Sequence, residues 1–342
     1  SFLSKDVLRF SSRRRGNSVI EVCVVGELNL DLILYGLPEQ LTPDREMLAS
    51  DMAFTLGSSS GIFAHNLCVL GTQVGFVSKI GGDPLGKMAL QRLAAVGVNT
   101  KRVMEEAKSF TGLTVVLPHS GNRHMLTYPG TMFEMQYSDI DMDYVLGARH
   151  LHLSSFFLHR ALRPRILDMF RQAKEAGLTT SLDTNDDPDD EWRIEKGGSD
   201  LRDLLKFVDV FLPNEREAKK IAGTTDLAKA LDVLAALSKV VVVKCGSGPA
   251  VCRAGDEKWS LVPPRVNFVD DVGAGDTFAA GFMHLYLRGG KLEDCLAFAN
   301  IAAAYSVTKA GGTEAFRDRA GLSAFMRQQW SSMGRGVIPW KD

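Results

Sequence analysis

The sequence predicts an α/β protein: a mostly parallel central sheet wrapped on both faces by helices, with a small β lid. Three observations carry this reading. Short apolar runs of strand length alternate with helical patterns, two segments interrupt that rhythm with hairpin character, and 342 residues with 45% hydrophobic content suffice to bury one large core.

The first run, VIEVCVV at Val19 to Val25, ends in Gly26 and reads as a buried strand emptying into a loop. HLHLSSFFL (His150 to Leu158), LTTSLD (Leu178 to Asp183), FVDVFL (Phe207 to Leu212) and VVVVK (Val240 to Lys244) repeat it. Helices are predicted between and after them at Pro84 to Val96, Pro164 to Ala176, Asn214 to Ala222, Leu227 to Leu237, Gly275 to Leu287 and Leu292 to Thr308. A sheet of this kind binds ligands at the carboxyl ends of its strands. Asp31 to Gly57 and Ser109 to Gly130 read instead as short strands with turns, the second a hairpin around Ser120, Gly121 and Asn122. Segments 32–56 and 110–130 are expected to pair as a lid; ordinary surface excursions are the alternative. One domain is expected over 19–330, with a basic leader at 1–18 and a C-terminal tail at 331–342.

A net charge of -1 gives no general attraction to nucleic acid or membrane, so any anion site must come from local geometry. No run reaches a membrane span and no secretory signal is evident, so a cytoplasmic location is expected. Arg13, Arg14 and Arg15 read as an interaction arm or a frayed leader. The five cysteines lie in apolar runs without a CxxC pair and read as reduced core residues. His150 and His152 share one face of a strand, but no nearby partner completes a metal site.

The most informative stretch is FVDDVGAGDTFAAGF, Phe268 to Phe282. Gly273, Ala274 and Gly275 precede a helical pattern, so their bare amides form an anion-attracting helix start, yet Asp270, Asp271 and Asp276 crowd the same turn. Asp276 as a helix-dipole partner explains part of this. Phosphoryl transfer explains all of it, because amides neutralise the moving group while a carboxylate takes the proton of the attacking hydroxyl. The pattern is neither a P-loop nor a dinucleotide fingerprint after Val25, which speaks against a nicotinamide dehydrogenase.

DDVGAGDTFAAGF resembles the C-terminal motif of the ribokinase (PfkB) family of carbohydrate kinases. GELNLDLI (Gly26 to Ile33), LGSSSGIFAHNLCVLG (Leu56 to Gly71), SKIGGDPLG (Ser78 to Gly86) and LPNEREA (Leu212 to Ala218) follow in family order from about Val19 to Gly312. The resemblance implies a ribokinase-like three-layer fold and an ATP-dependent sugar kinase; the exposed face of the small lid sheet offers a surface for a homodimer. Asp276 resembles the catalytic base, and Gly273, Ala274 and Gly275 the anion hole. Asp31, Gly57 and Ser58 match acceptor-binding positions. Asn214 and Glu217 resemble the N-x-x-E pair associated with Mg2+ and phosphate through water, although a plain helix cap fits the same residues. Lys244 and Gly246 border the implied ATP site, where Pro249 replaces a common glycine, and Asn300 resembles the residue near adenine. Asp270 to Val272 and Lys309 to Thr313 resemble loops that hold potassium.

Three departures bear on the acceptor. Ser58 replaces a second glycine, Ile62 an asparagine, and Asp187 an arginine of members handling keto acids and fructose. A neutral sugar with a primary hydroxyl is therefore expected. Arg123 and His124 read as compensating charges or as solvated hairpin residues. The alternatives are a nucleoside kinase whose lid aromatics, Tyr128 or Phe133, stack on a base, and a non-catalytic sugar or nucleotide sensor.

Overall fold

The structure, a computed structural model, describes residues 20–119, 122–190, 192 and 200–340. The expected leader and the tip of the hairpin, Ser120 and Gly121, lie outside the described residues. The chain begins with β1 (Val22–Val25), β2 (Leu30–Tyr35), β3 (Asp51–Leu56), α1 (Ser59–Val69), β4 (Val74–Gly81), α2 (Pro84–Ala95) and β5 (Asn99–Glu106). Next come β6 (Leu113–His119), β7 (Asn122–Tyr128), α3 (Met142–Leu146), β8 (His150–Leu153), α4 (Arg163–Glu175), β9 (Thr179–Leu182), α5 (Asp200–Leu205) and β10 (Val210–Phe211). Then follow α6 (Glu215–Ala222), α7 (Leu227–Ala235), β11 (Val240–Val243), β12 (Ala250–Ala254), β13 (Glu257–Leu261), α8 (Ala274–Tyr286), α9 (Leu292–Ser306) and α10 (Arg319–Ser332).

Nine strands form one sheet in the order β13-β12-β11-β10-β9-β8-β1-β4-β5. All neighbours from β5 to β11 are parallel; β12 and β13 add an antiparallel edge. Alternate residues of β1 enter different cores. Val22 and Val24 pack with residues of α1, α8 and α9, whereas Cys23 and Val25 pack with residues of α4, α5 and α6. Both faces are covered, which is why the strand reads as one continuous apolar run. The expected strands are present but shorter. Phe207 and Val208, for instance, close the turn after α5 by donating to Leu204 and Leu205 carbonyls, leaving only two residues for β10.

The two segments that broke the rhythm pair with each other. β3-β2-β6-β7 form a separate four-stranded sheet, two antiparallel hairpins joined by the parallel β2–β6 pair. The expected boundary at 330 falls inside α10, and the chain beyond it packs on the core: Trp340 is buried and its Nε1 donates to Leu70 O at 2.8 Å. Among the described residues, no helix is long and apolar enough to cross a membrane.

Candidate active site

The parallel strands all release the chain at one edge of the sheet. β1 lies between β4 and β8, where the strand order reverses, so the loops after β1 and β8 diverge and open a cleft. Glu27 to Asp31 follow β1, Ser154 and Ser155 follow β8, and Asp183 to Asn185 follow β9. Asn214 follows β10 and Lys244 follows β11. Residues far apart in sequence are thereby collected at one edge.

Into this edge points the start of α8. Gly273 is left-handed, with φ +72°, and an added Cβ would lie 2.6 Å from Gly312 Cα and 3.0 Å from Ile62 Cδ1. Ala274 N donates to Asp271 O (3.1 Å) and Thr277 N to Gly273 O (2.9 Å). Between them the Gly275 and Asp276 amides have no backbone acceptor among the described residues. Lys244 comes alongside, its Nζ 3.6 Å from where a Cβ on Gly275 would stand. Free backbone donors and an ammonium thus share the positive end of α8.

Asp276 is buried in this first turn. Burial pushes its carboxyl up to about 7 and Asp183 adds to the rise, against the opposing pull of Lys244 and a hydrogen bond from Ser59. Lys244 forms a buried ion pair with Asp183. Burial alone would lower the ammonium, but Asp183 and Glu217 hold it above the ordinary lysine value. Asn214 N donates to Glu217 Oε2 and Glu217 N to Asn214 Oδ1, each at 2.9 Å, a reciprocal cap on α6. Burial and Asp183 raise the Glu217 carboxyl to about 7 although Lys244 opposes them.

From the lid, Asp31 faces the same space. Burial, then Asp276 and Asp270, lift its carboxyl to about 7, while Arg123 pulls the other way. Gly57 is required beside it, since a Cβ there would fall 2.2 Å from Asp31 Oδ1. Asp270 is also buried; it accepts from Tyr35 Oη (2.7 Å), Gly311 N (3.0 Å) and Val272 N (3.0 Å).

The structure places the other expected residues as follows. Ser58 turns its hydroxyl to the backbone, accepting from Asn29 N and Gly61 N at 3.3 Å each as the cap of α1. Asn300 donates to Leu261 O at 2.9 Å at the end of β13. Gly246, with φ +59°, sits exposed on the turn between β11 and β12. Asp187 is buried and accepts from Trp192 N (2.8 Å) and Asp189 N (3.1 Å), so a structural carboxylate stands at the departed arginine position. Arg123 pairs with Asp271 at 2.8 Å. Tyr128 is the register partner of Leu113, opposite Leu30, and so projects from the lid face away from Asp31. Phe133 is covered by the Arg160 guanidinium, 4.4 Å from its ring centre. His150 and His152 are buried, bonded to Thr179, Ser181 and Ser154 and held neutral by burial. All five cysteines are free thiols.

Several residues of the site escaped sequence reasoning. Buried Glu27 accepts from Ser60 Oγ (2.8 Å), Ser155 Oγ (2.8 Å) and His159 Nε2 (3.1 Å), tying together the loops after β1 and β8 and the start of α1. Burial would raise its carboxyl, but His159 together with hydrogen bonds from the backbone and Ser60 holds it below the ordinary value. Asn185 donates to Ser59 Oγ at 2.7 Å, leaving the Ser59 proton for Asp276. Asn29 Oδ1 is buried without a hydrogen-bond partner among the described residues. A polar residue directly after an apolar strand was the available signal for Glu27, and Asn185 lies in the segment Asp183 to Trp192 in which Asp187 takes the arginine position; nothing local marks Ser59.

A doubly covered parallel sheet, a lid sheet and a helix start joining free amides to a buried carboxylate define the ribokinase-like class of α/β proteins. Solved structures share the fold. That of an E. coli protein assigned as ribokinase II, in complex with ATP and Mg2+, superposes with TM-score 0.78 at 21% identity, covering 90% of this chain and 99% of the other. Arabidopsis thaliana ribokinase complexed with ribose and ATP gives 0.75 at 24%, covering 91% and 99%. A curated relative, an uncharacterized sugar kinase of Archaeoglobus fulgidus, is 30% identical over 72% of this chain and 95% of its own length. The model of the pfkB family of carbohydrate kinases matches residues 19–319, and the chain belongs to that family.

Proposed function

We propose that the chain transfers the terminal phosphoryl group of ATP to a primary hydroxyl of a neutral sugar or sugar-like alcohol. The observation that carries this reading is Asp276, a carboxyl raised to about 7 beside unpaired helix-start amides and the Lys244 ammonium. A group with that value takes a proton near neutral pH, while the amides and ammonium stabilise charge on the group in flight. Asp31 orients the acceptor and Asn29 Oδ1 offers a further hydroxyl partner. Gly273, Ala274 and Gly275 form the anion hole, whose free donors are the Gly275 amide and the adjoining Asp276 amide, and Lys244 borders the nucleotide phosphates.

Glu217, whose carboxylate oxygens are engaged by Asn214, would hold Mg2+ through water rather than directly. When bound the ion neutralises phosphate charge. Potassium, which the resemblance of the loops at 270–272 and 309–313 implies, would lie near the junction where Asp270 joins them. The outer lid face carries Met52 and Leu126, each 61% exposed, which supports pairing of two copies through the lid.

A neutral acceptor is supported by the departure at Asp187, where members handling keto acids carry an arginine that an acidic acceptor would lose. The nucleoside reading is disfavoured because Tyr128 faces away and Arg160 covers Phe133. ADP formation should be screened across pentoses, hexoses, ketodeoxy acids and nucleosides. A neutral sugar is expected to give the highest kcat/KM; a ketodeoxy acid or nucleoside in first place would refute the acceptor assignment.

A further inference from the structure

The lid and the turn before α8 meet through contacts that phosphoryl transfer itself does not use. Tyr35, at the end of β2, donates to Asp270 Oδ2 at 2.7 Å, and the same oxygen accepts from Gly311 N at 3.0 Å. Asp270 Oδ1 takes Val272 N, also at 3.0 Å. One carboxylate is therefore shared by the lid, the turn entering the anion hole and the glycine segment after α9. Beside it, Arg123 of β7 pairs with Asp271 at 2.8 Å. Thr55 of β3 reaches Glu314 Oε1 at 3.2 Å. Ile33 and Val116, on the inward lid face, pack with Val272 in a small buried cluster.

The chemistry sits immediately downstream. Val272 precedes Gly273, which presses on Gly312 so closely that a Cβ would lie 2.6 Å from its Cα. The lid cannot lift as a body without breaking the Tyr35 bond, separating Arg123 from Asp271 and uncovering Val272. At the other end of the same strand face stands Asp31, since residues 31, 33 and 35 of a strand point the same way. Their span is about 13 Å of stiff, paired backbone. A ligand that fixes Asp31 thereby fixes Tyr35.

We propose that Tyr35 and Arg123 are positioning residues that couple the lid to the anion hole, so that the Gly275 and Asp276 amides come into register when the lid is seated on its acceptor. Both act through the residues they bond, Asp270 and Asp271. Tyr35 carries more of the coupling, because its bond ends on a buried carboxylate, whereas the Arg123–Asp271 pair is about half exposed and screened by solvent. The inference rests on the phosphoryl-transfer reading for what the amides do.

Hydrogen exchange with the non-hydrolysable analogue AMP-PNP and Mg2+ tests both separately. In the wild type the analogue should slow exchange at residues 271–276 and also in β2 and β7, although it binds neither strand. Tyr35→Phe should keep the first protection and lose the second; Arg123→Gln, an exposed substitution that leaves the fold intact, should weaken the second. With the best acceptor, Tyr35→Phe should lower kcat about tenfold to a hundredfold with acceptor KM near wild type. Protection confined to 271–276 in the wild type, or lid protection unchanged in Tyr35→Phe, overturns the coupling. Absence of protection at 271–276 in the wild type overturns the phosphoryl-transfer reading instead.

Discussion

Replacing Asp276 with asparagine separates chemistry from folding at the proposed base. The substitution keeps side-chain size, and the amide oxygen can still accept the Ser59 hydroxyl that the carboxylate accepts now. What disappears is the proton acceptor, and general-base assistance is worth about 100-fold to 10,000-fold in rate. Stability moves the other way. Folding raises this carboxyl from 3.8 to about 7, mainly through burial. The folded state then binds the proton more tightly than the unfolded chain, so the carboxylate destabilises the fold progressively from about pH 4 to about pH 7 and by a constant amount above. That rise, from 3.8 to about 7, corresponds to an upper bound of about 4 kcal/mol. Asp276→Asn should therefore melt at or above the wild-type temperature at about pH 8, with the difference vanishing near pH 4. Turnover is read by coupled ADP release and stability by thermal melts over the same pH range. Near-normal turnover in a normally folded mutant would refute the base assignment and the account of the helix start.

In the wild type, kcat should rise with pH through about 7 as Asp276 loses its proton; because Asp31 shares that range and repels it, a broadened limb is expected, and a flat profile from about pH 5 to 9 counts against the site. Gly273→Ala should cost about 1–3 kcal/mol in a denaturant melt, because φ +72° strains any side chain and Gly312 occupies its space, and should reduce turnover at least about tenfold. A melt unchanged from wild type would show that the turn is not constrained. Turnover in potassium should exceed turnover in tetramethylammonium at equal ionic strength, and equal rates would remove the cation from the loops at Asp270 and Gly311.

Much of this protein was legible in one dimension. The alternation of apolar runs and helices determined a covered parallel sheet, and Gly273 to Asp276 announced a helix start with free amides, because both are properties of a few consecutive residues. Where burial is complete the pattern fades: α1, SSGIFAHNLCV, is buried nearly all round and shows no helical period, and β5, NTKRVMEE, is a charged edge strand without an apolar run. Tertiary structure alone decided what the side chains do. It joined Asp183 to Lys244, 61 positions apart, and Tyr35 to Asp270, 235 apart. It also spent Ser58 and Asn300 on backbone groups, turned Tyr128 away from Asp31 and raised Asp276 to about 7. Backbone conformation follows from neighbours within a turn or two of chain, but desolvation and Coulomb interaction depend on distance through space, and only the folded chain sets those distances.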